Sequence, residues 1–495
     1  MTSEPAARKV CALETLRTWG GLALCLVLAS CRDGSAAREV PVLDAGKGDA
    51  TSDVRALSRA QLLDPETCKG CHPKHYREWS SSMHAYSSSD PVFIAMNKRG
   101  QRETGGSLGD FCIQCHAPMA LREGLTKDGL NIGELPRSVQ GVTCYFCHNA
   151  VNVGPDHVNA PITLANDTVM RGSIRNPVDP KVHGVAYSEH HDNGSMKSSV
   201  LCGACHDVRT QKGVHIERTL KEYKDGIFSI EKSGKNGGES CQGCHMRWNA
   251  SDVAAAVPEL SLPKRDLHEH RWAAVDVALT DFADREAQRH ATECELSADG
   301  AYIFQISNDA PGEITVSIET TAGHAQPSGT AQDRRLWLEF IAYDAQDKII
   351  FESGVLPEGE PEEWPVGHPK HDRQLWMLRD HFYDASGAEV HMFWEADRVE
   401  SRLLPIAVNK LSNHVATHVY QLPARQQPAR VKMRLRMRPV GVDVLQSLVD
   451  SGDLDPSVIA EMPTFTLHST HVDWRVVPGE AIQRPTPLPM PITCP

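Results

Sequence analysis

The motif Cys-x-x-Cys-His occurs five times between Cys68 and His245, and no other feature constrains the fold of this chain so strongly. Cysteines three positions apart lie about one helical turn from each other, so both thiols can add to the two vinyl groups along one edge of a haem. The histidine that follows can then bind the iron from one face. Each motif therefore predicts one covalently attached haem c, and the chain is expected to carry five.

The predicted haem-binding residues follow directly from the motifs. The attachment cysteines are Cys68 and Cys71, Cys112 and Cys115, Cys144 and Cys147, Cys202 and Cys205, and Cys241 and Cys244. The predicted proximal iron ligands are His72, His116, His148, His206 and His245.

Paired cysteines also occur in zinc sites and in disulfide frameworks. With 15 cysteines and 24 histidines in 495 residues, chance predicts roughly 0.02 motifs of this kind, whereas the sequence contains five. A zinc ion needs four ligands in total and does not require a histidine at the same place after every pair. Adjacent Cys-x-x-Cys disulfides are usually redox-active. Haem attachment is therefore the favoured interpretation.

The first 31 residues have the pattern of an export signal. Three basic residues precede an apolar run over residues 20–28, which is too short to cross a bilayer but suits the core of a signal peptide. The run ends in Leu-Ala-Ser-Cys31, which resembles a bacterial lipobox in which the cysteine is acylated; an ordinary signal peptide cleaved nearby is the alternative. Both interpretations predict export to the periplasm or the cell surface, and the lipobox adds a lipid anchor at Cys31. Residues 32–56 are polar and are expected to form a flexible tether.

A pentahaem domain is predicted over residues 57–290. The motifs begin 44, 32, 58 and 39 residues apart, so they do not form a regular repeat. Clusters of glycine, proline and asparagine between them favour turns over long helices. Aromatic residues make up only 6% of the chain, which leaves little side-chain core. We expect short helices and loops wrapped around haems that themselves bury most of the apolar surface.

The first motif belongs to a longer pattern. Residues 68–85 read Cys-x-x-Cys-His-x-x-x-Tyr-x-x-Trp-x-x-Ser-x-His-Ala, and residues 90–93 read Asp-Pro-Val-Phe. This pattern resembles the first haem segment of the cytochrome c-554 family of multihaem cytochromes c, which belongs to the group that contains hydroxylamine oxidoreductase and pentahaem nitrite reductase. The runs Cys202–Asp207, Ile216–Tyr223 and Cys241–Met246 are similar to other segments of such cytochromes.

The chain departs from its relatives in two respects. It contains no Cys-x-x-Cys-Lys, so the lysine-ligated catalytic haem of pentahaem nitrite reductase has no counterpart. It has five motifs, where the small c-554 proteins have four and hydroxylamine oxidoreductase has eight. The resemblance covers residues 65–275 and implies a multihaem electron-transfer protein.

Nineteen histidines remain once the proximal ligands are assigned. The resemblance implies a distal iron ligand at His84, which lies 12 residues after His72; a surface histidine is the alternative. His75 and His157 are weaker candidates. His215 is expected to be structural.

Two further groups of histidines are candidates for distal ligands. One of His183, His190 and His191 is expected to bind an iron, and we select His191. The stretch that contains His268 and His270 resembles the one that returns a histidine to the haems after the last motif in related cytochromes. We select His270 from this pair.

From about residue 291 to residue 495 the composition predicts a β-domain. Short segments rich in β-branched and aromatic residues alternate with turn signals such as Asn-Asp, Pro-Gly and Asp-Ala-Ser-Gly. The predicted strands are 301–307, 313–321, 335–345, 348–353, 389–396, 414–422, 430–437 and 465–477. Eight strands with this spacing predict an antiparallel β-sandwich, with a short helix at 442–448.

A loop in this second domain carries another candidate ligand. Ala-Gly-His324-x-x-Pro-Ser-Gly, followed by Asp-Arg-Arg-Leu-Trp at residues 333–337, resembles the C-terminal β-domain attached to some multihaem cytochromes. His324 is expected either to reach a haem at the domain interface or to hold the turn.

Two cysteines are left over. After the ten motif cysteines, Cys11 and Cys25 in the signal and Cys31 are set aside, Cys294 and Cys494 remain. In an oxidising compartment an even remainder predicts a disulfide, and two free buried thiols are the alternative.

The charge balance limits the partners of the chain. Asp and Glu number 64 against 51 Lys and Arg, which gives a net charge of −13. No basic patch occurs, so nucleic acid is not expected as a partner, and the acidity suits the steering of basic redox proteins.

Three functions are compatible with such a chain. The first is an electron carrier with five haems, and the second is a reductase or oxidase of small nitrogen or sulfur compounds at a haem with an open distal position. In the third, the β-domain is a binding module that recruits the haem domain to a partner or a surface polymer.

Overall fold

The computed structural model describes residues 56–229, 238–298, 300–408, 414–479, 481–483, 489 and 491–494, and these residues belong to one compact unit. The predicted leader, the Cys31 anchor and the tether up to residue 55 lie outside the described residues. The predicted domain boundary at residues 290 and 291 falls inside the helix Arg285–Leu296 and stays a prediction. Within the described ranges, no helix is both long enough and apolar enough to cross a membrane.

The first half of the chain consists of short helices joined by loops, as the turn-rich sequence predicted. Helices α1 to α11 are Arg59–Leu62, Pro65–Lys69, Pro73–Ser80, Met83–Tyr86, Pro91–Glu103, Ile113–His116, Pro118–Arg122, Cys144–His148, Met196–Gly203, Thr219–Asp225 and Cys241–His245. Two of them, α2 and α5, begin with a proline that follows a capping aspartate, as where Asp90 accepts a hydrogen bond from the Val92 amide at 2.9 Å. The motifs lie at or within these short helices.

Small strand pairs, which the sequence did not predict, connect the helices. Strands β1 to β8 are Ala150–Val153, Ile162–Leu164, Val169–Gly172, Gly184–Tyr187, Asp207–Arg209, His215–Arg218, Trp248–Ala254 and Lys264–His268. Each pairs with its sequence neighbour, β3 and β4 in parallel and the others antiparallel. The pair β5–β6 begins directly after the fourth motif and brings Glu217 opposite Val208.

The second half of the chain is built mainly of antiparallel sheets. Strands β9 to β21 are Tyr302–Ser307, Glu313–Thr320, Arg335–Tyr343, Ile349–Ser353, Met377–Leu378, Asp380–Tyr383, Glu389–Val390, Arg398–Ser401, Ala416–Gln421, Arg430–Arg438, Phe465–Thr466, Val472–Arg475 and Ala481–Gln483. One sheet has the order β17-β10-β9-β21, and a larger one has β12-β11-β18-β19 with β13 and β20 also paired to it. A third sheet has the order β15-β14-β16.

The two larger sheets share one buried hydrophobic cluster. Ile306 and Val316 from the four-stranded sheet and Leu338 and Leu435 from the larger sheet are members of it, and each is at most 1% exposed. Apolar and polar residues therefore alternate along these strands because each strand buries one of its two faces, as predicted. The antiparallel sheets are confirmed, whereas the sandwich arrangement stays a prediction.

Helices of the second half connect it with the first. Helices α12 to α14 are Arg285–Leu296, Val442–Asp450 and Ser457–Glu461, of which the second matches the predicted helix. Leu448 of α13 shares a buried cluster with Val92 and Ala95 of α5. Cys294 of α12 forms a disulfide with Cys494, 200 residues away, as the even remainder of cysteines predicted.

Two predicted strands differ from the structure. The segment 389–396 is extended only at Glu389–Val390, because Phe393 and Trp394 turn toward the first half of the chain. There the Phe393 ring lies 5.4 Å from the Phe111 ring, and the Trp394 indole donates to Glu103 at 3.0 Å. The segment 465–477 is divided into β19 and β20 by a turn of 3-10 helix at His468–Thr470.

Candidate haem-binding site

The predicted attachment residues meet around one large cavity. This cavity has a volume of about 1230 Å³, and its wall contains all ten motif cysteines and all five motif histidines. His84, His183, His191, His270 and His324 also lie on its wall. The cavity extends from the helical half to loops of the β-sheet half, so both halves of the chain contribute to the site.

Four of the five motif histidines are held in the same way. In each, the Nδ1 atom lies at hydrogen-bond distance from a backbone carbonyl, and Nε2 is left as the atom available to a metal. The carbonyl partners are Ala255 at 2.6 Å for His72, Ser87 at 3.0 Å for His116, Arg171 at 2.5 Å for His148, and Ala273 at 3.4 Å for His245. Metal-binding histidines typically donate their second nitrogen in this manner.

The fifth motif histidine has a different partner. Nδ1 of His206 lies 3.6 Å from Oε2 of Glu217. Burial lowers the pKa of the imidazole, but the Glu217 carboxylate outweighs this effect and the pKa of His206 is raised overall. Burial lowers the pKa of the other four motif histidines.

The spacing of the histidine rings tests whether these residues fit a haem iron. Metal–nitrogen bonds of about 2.0 Å, with ring nitrogens about 1.15 Å from the ring centre, place the centres of two axial imidazoles about 6.3 Å apart. Five pairs that join a motif histidine to another histidine have about this spacing. One of them, His72 and His75 at 6.1 Å, joins residues only three positions apart in the chain. The other four are His72 and His183 at 6.4 Å, His148 and His270 at 6.1 Å, His206 and His84 at 6.3 Å, and His245 and His324 at 6.3 Å. The donor set therefore fits four irons with two histidine ligands each.

His116 differs from the other motif histidines because no second histidine lies opposite it. All 24 histidines are within the described residues, and none forms a ring pair of this kind with His116. Its ring stacks instead on Phe93, with the ring centres 4.2 Å apart and the planes 12° apart. The described histidines therefore supply no second ligand opposite His116.

The sequence of the first motifs matches a known family. Residues 67–149 match the family described as cytochrome c554 and c-prime. Over these residues the chain resembles the cytochrome c-554 family of multihaem c-type cytochromes. The match supports haem c as the cofactor and electron transfer as the function.

One solved structure has the same fold as this cytochrome. It is a penta-heme cytochrome c552 from Thermochromatium tepidum, with 18% sequence identity and a TM-score of 0.56. The match covers 85% of this chain and 100% of that chain, so it includes β-sheet regions beyond the motifs. No curated protein matches the cytochrome.

The geometry favours His183 over the selected His191. His191 points its Nε2 at the Cys147 carbonyl, 2.9 Å away, and its Nδ1 is buried without a hydrogen-bond partner among the described residues. His183 instead has Nδ1 near the Gly184 carbonyl at 3.0 Å, which leaves Nε2 for a metal opposite His72. The choice between His183 and His191 depends on how residues 170–190 fold around the first motif. Sequence spacing alone does not define this fold.

The other selected distal histidines lie opposite motif histidines. His270 and His324 have Nδ1 at 3.1 Å from the carbonyls of His268 and Ala325. Nδ1 of His84 is buried with no hydrogen-bond partner among the described residues.

The weaker candidates have other positions. His75 lies in helix α3 only three residues after His72, so the two cannot bind opposite faces of one haem. His157 accepts from Lys224 Nζ at 2.8 Å and lies away from the cavity wall. Nε2 of His215 lies 3.8 Å from Asp207, which agrees with a structural role.

Cysteines of different motifs lie near one another. The thiols of Cys68 and Cys144 are close enough to interact, and so are those of Cys115 and Cys205. Cys202 interacts electrostatically with Cys147 and Cys241. The attachment sites of motifs 1 and 3, and of motifs 2 and 4, are therefore neighbours, and motif 4 also adjoins motifs 3 and 5.

An ion pair joins the two halves at the same cavity. Arg334 donates to both carboxylate oxygens of Asp276, with Nη2 2.8 Å from Oδ2, and to the Pro439 carbonyl at 3.1 Å.

Burial raises the pKa of Asp90, on the same wall, to about 7.

Sequence reasoning did not single out Arg334, Asp276 or Glu217 as site residues. The available signals were the Asp-Arg-Arg run at residues 333–335 and the run Ile216–Tyr223, both of which were noted only as resemblances.

Proposed function

We propose that this cytochrome is an exported electron-transfer protein with five covalently bound haems c. When bound, each haem supplies a one-electron exchange between ferrous and ferric iron. The observation that carries the proposal is the set of four histidine pairs with ring centres 6.1–6.4 Å apart around one cavity.

The axial ligands in this proposal come from both halves of the chain. His72 pairs with His183, His148 with His270, His206 with His84, and His245 with His324, while His116 has no histidine partner. The backbone carbonyls at most of the Nδ1 atoms fix the ring orientations and keep Nε2 free for the metal. Because His324 belongs to a loop between sheet strands, the β-sheet half completes a site and is more than an attached module.

Neighbouring attachment sites support a continuous path for electrons. The contacts of Cys68 with Cys144 and of Cys115 with Cys205 link motif 1 to motif 3 and motif 2 to motif 4. Cys202 adjoins cysteines of motifs 3 and 5. Motifs 1, 3, 4 and 5 therefore form a series, with motif 2 as a branch at motif 4.

The remaining features of the proposal concern shape and location. The two larger sheets, which share a buried cluster, form a β-sandwich that supports the His324 loop. A lipid anchor at Cys31 would hold the protein on a membrane outside the cytoplasm. The net charge of −13 would steer basic redox partner proteins toward it.

A second function is favoured by the environment of His116. A motif histidine with no histidine opposite leaves one axial position for an added ligand, as in a reductase or oxidase of small nitrogen or sulfur compounds. The stacked Phe93 ring holds the His116 side chain and offers no competing donor.

The intact mass of the purified protein tests the proposed cofactor content. We expect five haem additions that survive extraction with acidified acetone, and four in a variant in which Cys241 and Cys244 are both alanine. Fewer than five additions in the unmodified protein, or zinc in place of haem, would contradict the proposal.

A further inference from the structure

The partner of His206 distinguishes the fourth motif from the other four. The other motif histidines have Nδ1 against neutral backbone carbonyls, whereas Nδ1 of His206 faces the Glu217 carboxylate at 3.6 Å. Oε2 of Glu217 is buried and has no hydrogen-bond partner among the described residues, although it lies within ion-pair distance of this ring.

The strand pair β5–β6 places the carboxylate there. Strand β5 begins at Asp207, directly after His206, and the chain returns antiparallel along β6 so that Glu217 lies opposite Val208. This register places the Glu217 side chain beside the imidazole of His206. The Glu217 side chain is 17% exposed, so solvent screens its charge only weakly.

A carboxylate changes the donor strength of an imidazole more than a carbonyl does. A negative charge that attracts the Nδ1 proton gives the ring imidazolate character, and a more basic ring favours ferric over ferrous iron. The opposite ligand candidate, His84, does not compete in this respect because its Nδ1 has no hydrogen-bond partner among the described residues. The His84 ring packs edge-on against Trp272, with the centres 4.6 Å apart.

The neighbouring charges do not cancel the effect of Glu217. Arg334 interacts electrostatically with Glu217, and its guanidinium is held by both oxygens of Asp276. The positive charge of Arg334 is therefore balanced by its own carboxylate partner.

We propose that Glu217 is a positioning residue that lowers the reduction potential of the haem bound by Cys202 and Cys205. The inference rests on the proposed function, since it requires a haem at motif 4 with His206 as ligand. Motif 4 adjoins the sites of motifs 2, 3 and 5. Its potential therefore controls how electrons are divided between the series of bis-histidine sites and the branch at motif 2.

The variant Glu217→Gln in the full-length, haem-loaded protein tests this role. Glutamine keeps the size and an acceptor oxygen but removes the charge. We expect one of the five midpoint potentials to rise by at least about 59 mV, which for one electron is a tenfold change in the ratio of reduced to oxidised haem. The midpoint that moves should be the one missing from a protein in which Cys202 and Cys205 are both alanine.

Two further variants complete the test. Glu217→Asp keeps the carboxylate but withdraws it, so the same midpoint should rise by less; this variant decides the question if the glutamine variant does not fold. Glu295→Gln is the control, because Glu295 lies on the same cavity wall but faces Arg247 rather than the Nδ1 of a ligand histidine. It should leave the motif 4 midpoint in place.

The outcomes separate this inference from the proposed function. If the unmodified protein carries five haems and Glu217→Gln or Glu217→Asp leaves every midpoint unchanged, the role of Glu217 is overturned and the electron-transfer function stands. If the unmodified protein has no haem on Cys202 and Cys205, this result contradicts the proposed function, and the inference about Glu217, which requires that haem, is overturned with it.

Discussion

At the scale of single residues, the site depends on which nitrogen of each histidine is already occupied. His183 and His191 lie eight positions apart, yet only His183 has its Nδ1 at a carbonyl and its ring 6.4 Å from a motif histidine. The Cys147 carbonyl engages Nε2 of His191 instead. Ring spacing together with hydrogen bonding at the second nitrogen thus favours His183 over His191 as the ligand.

The variant His183→Ala tests this distinction. Removal of a distal histidine leaves water or no ligand in the sixth position, so one haem should change from low-spin to high-spin while all thioether bonds remain. Electronic absorption and EPR spectra of the ferric protein measure the change. His191→Ala is the matched control and should leave every haem in its original spin state; the reverse result would assign the ligand to His191.

At the scale of secondary-structure elements, the two halves of the chain depend on each other. Helix α13 of the β-sheet half packs on helix α5 of the helical half, and Arg99 of α5 donates to the Ser447 carbonyl of α13 at 3.0 Å. Helix α5 also carries Phe93, which stacks on His116. Packing at this contact therefore supports the haem site.

The variant Leu448→Ala measures the contribution of this contact. Leu448 is fully buried between the two helices, and loss of its side chain should lower the free energy of unfolding by about 2–5 kcal/mol. Chemical denaturation followed by tryptophan fluorescence and Soret absorption gives the value. Gln446→Ala, on the exposed side of the same helix, should change it by no more than about 0.5 kcal/mol. Equal effects of the two variants would show that the contact is not important for stability.

The elements also show which parts of the structure a sequence can predict. Strand Arg430–Arg438 was predictable because Val431, Met433 and Leu435 alternate with charged residues and face one core. The haem attachment residues were predictable because the motif itself contains all the chemistry of attachment. The conformation of the segment 389–396 was not predictable, because Phe393 and Trp394 are held by long-range contacts with the other half of the chain. The distal ligands depend on such contacts as well. Sequence spacing therefore narrowed the candidates to groups, and within the group of His183, His190 and His191 the ring geometry favours His183 over the selected His191.

At the scale of the whole molecule, the predicted anchor at Cys31 would determine where the protein works. The variant Cys31→Ser should block acylation and release a soluble protein that still carries its haems, because attachment depends on the motif cysteines. Cell fractionation with haem staining measures the distribution. Cys25→Ser, within the apolar run of the predicted signal, is the control and should remain bound to the membrane. Membrane association that survives Cys31→Ser would exclude Cys31 as the attachment point.

The described part of the molecule places four histidine pairs, and His116 with no histidine opposite it, around a single cavity. Both proposed functions use this division, since the four closed sites suit electron transfer and the open one suits binding of a small molecule.

The spin states of the ferric protein test this division most directly. Quantitative EPR, combined with resonance Raman spectra of the intact protein, should find four low-spin bis-histidine haems and one high-spin haem, and cyanide should convert the high-spin haem to low-spin. Five low-spin haems that do not react with cyanide, or more than one high-spin haem, would contradict the proposed ligand assignment.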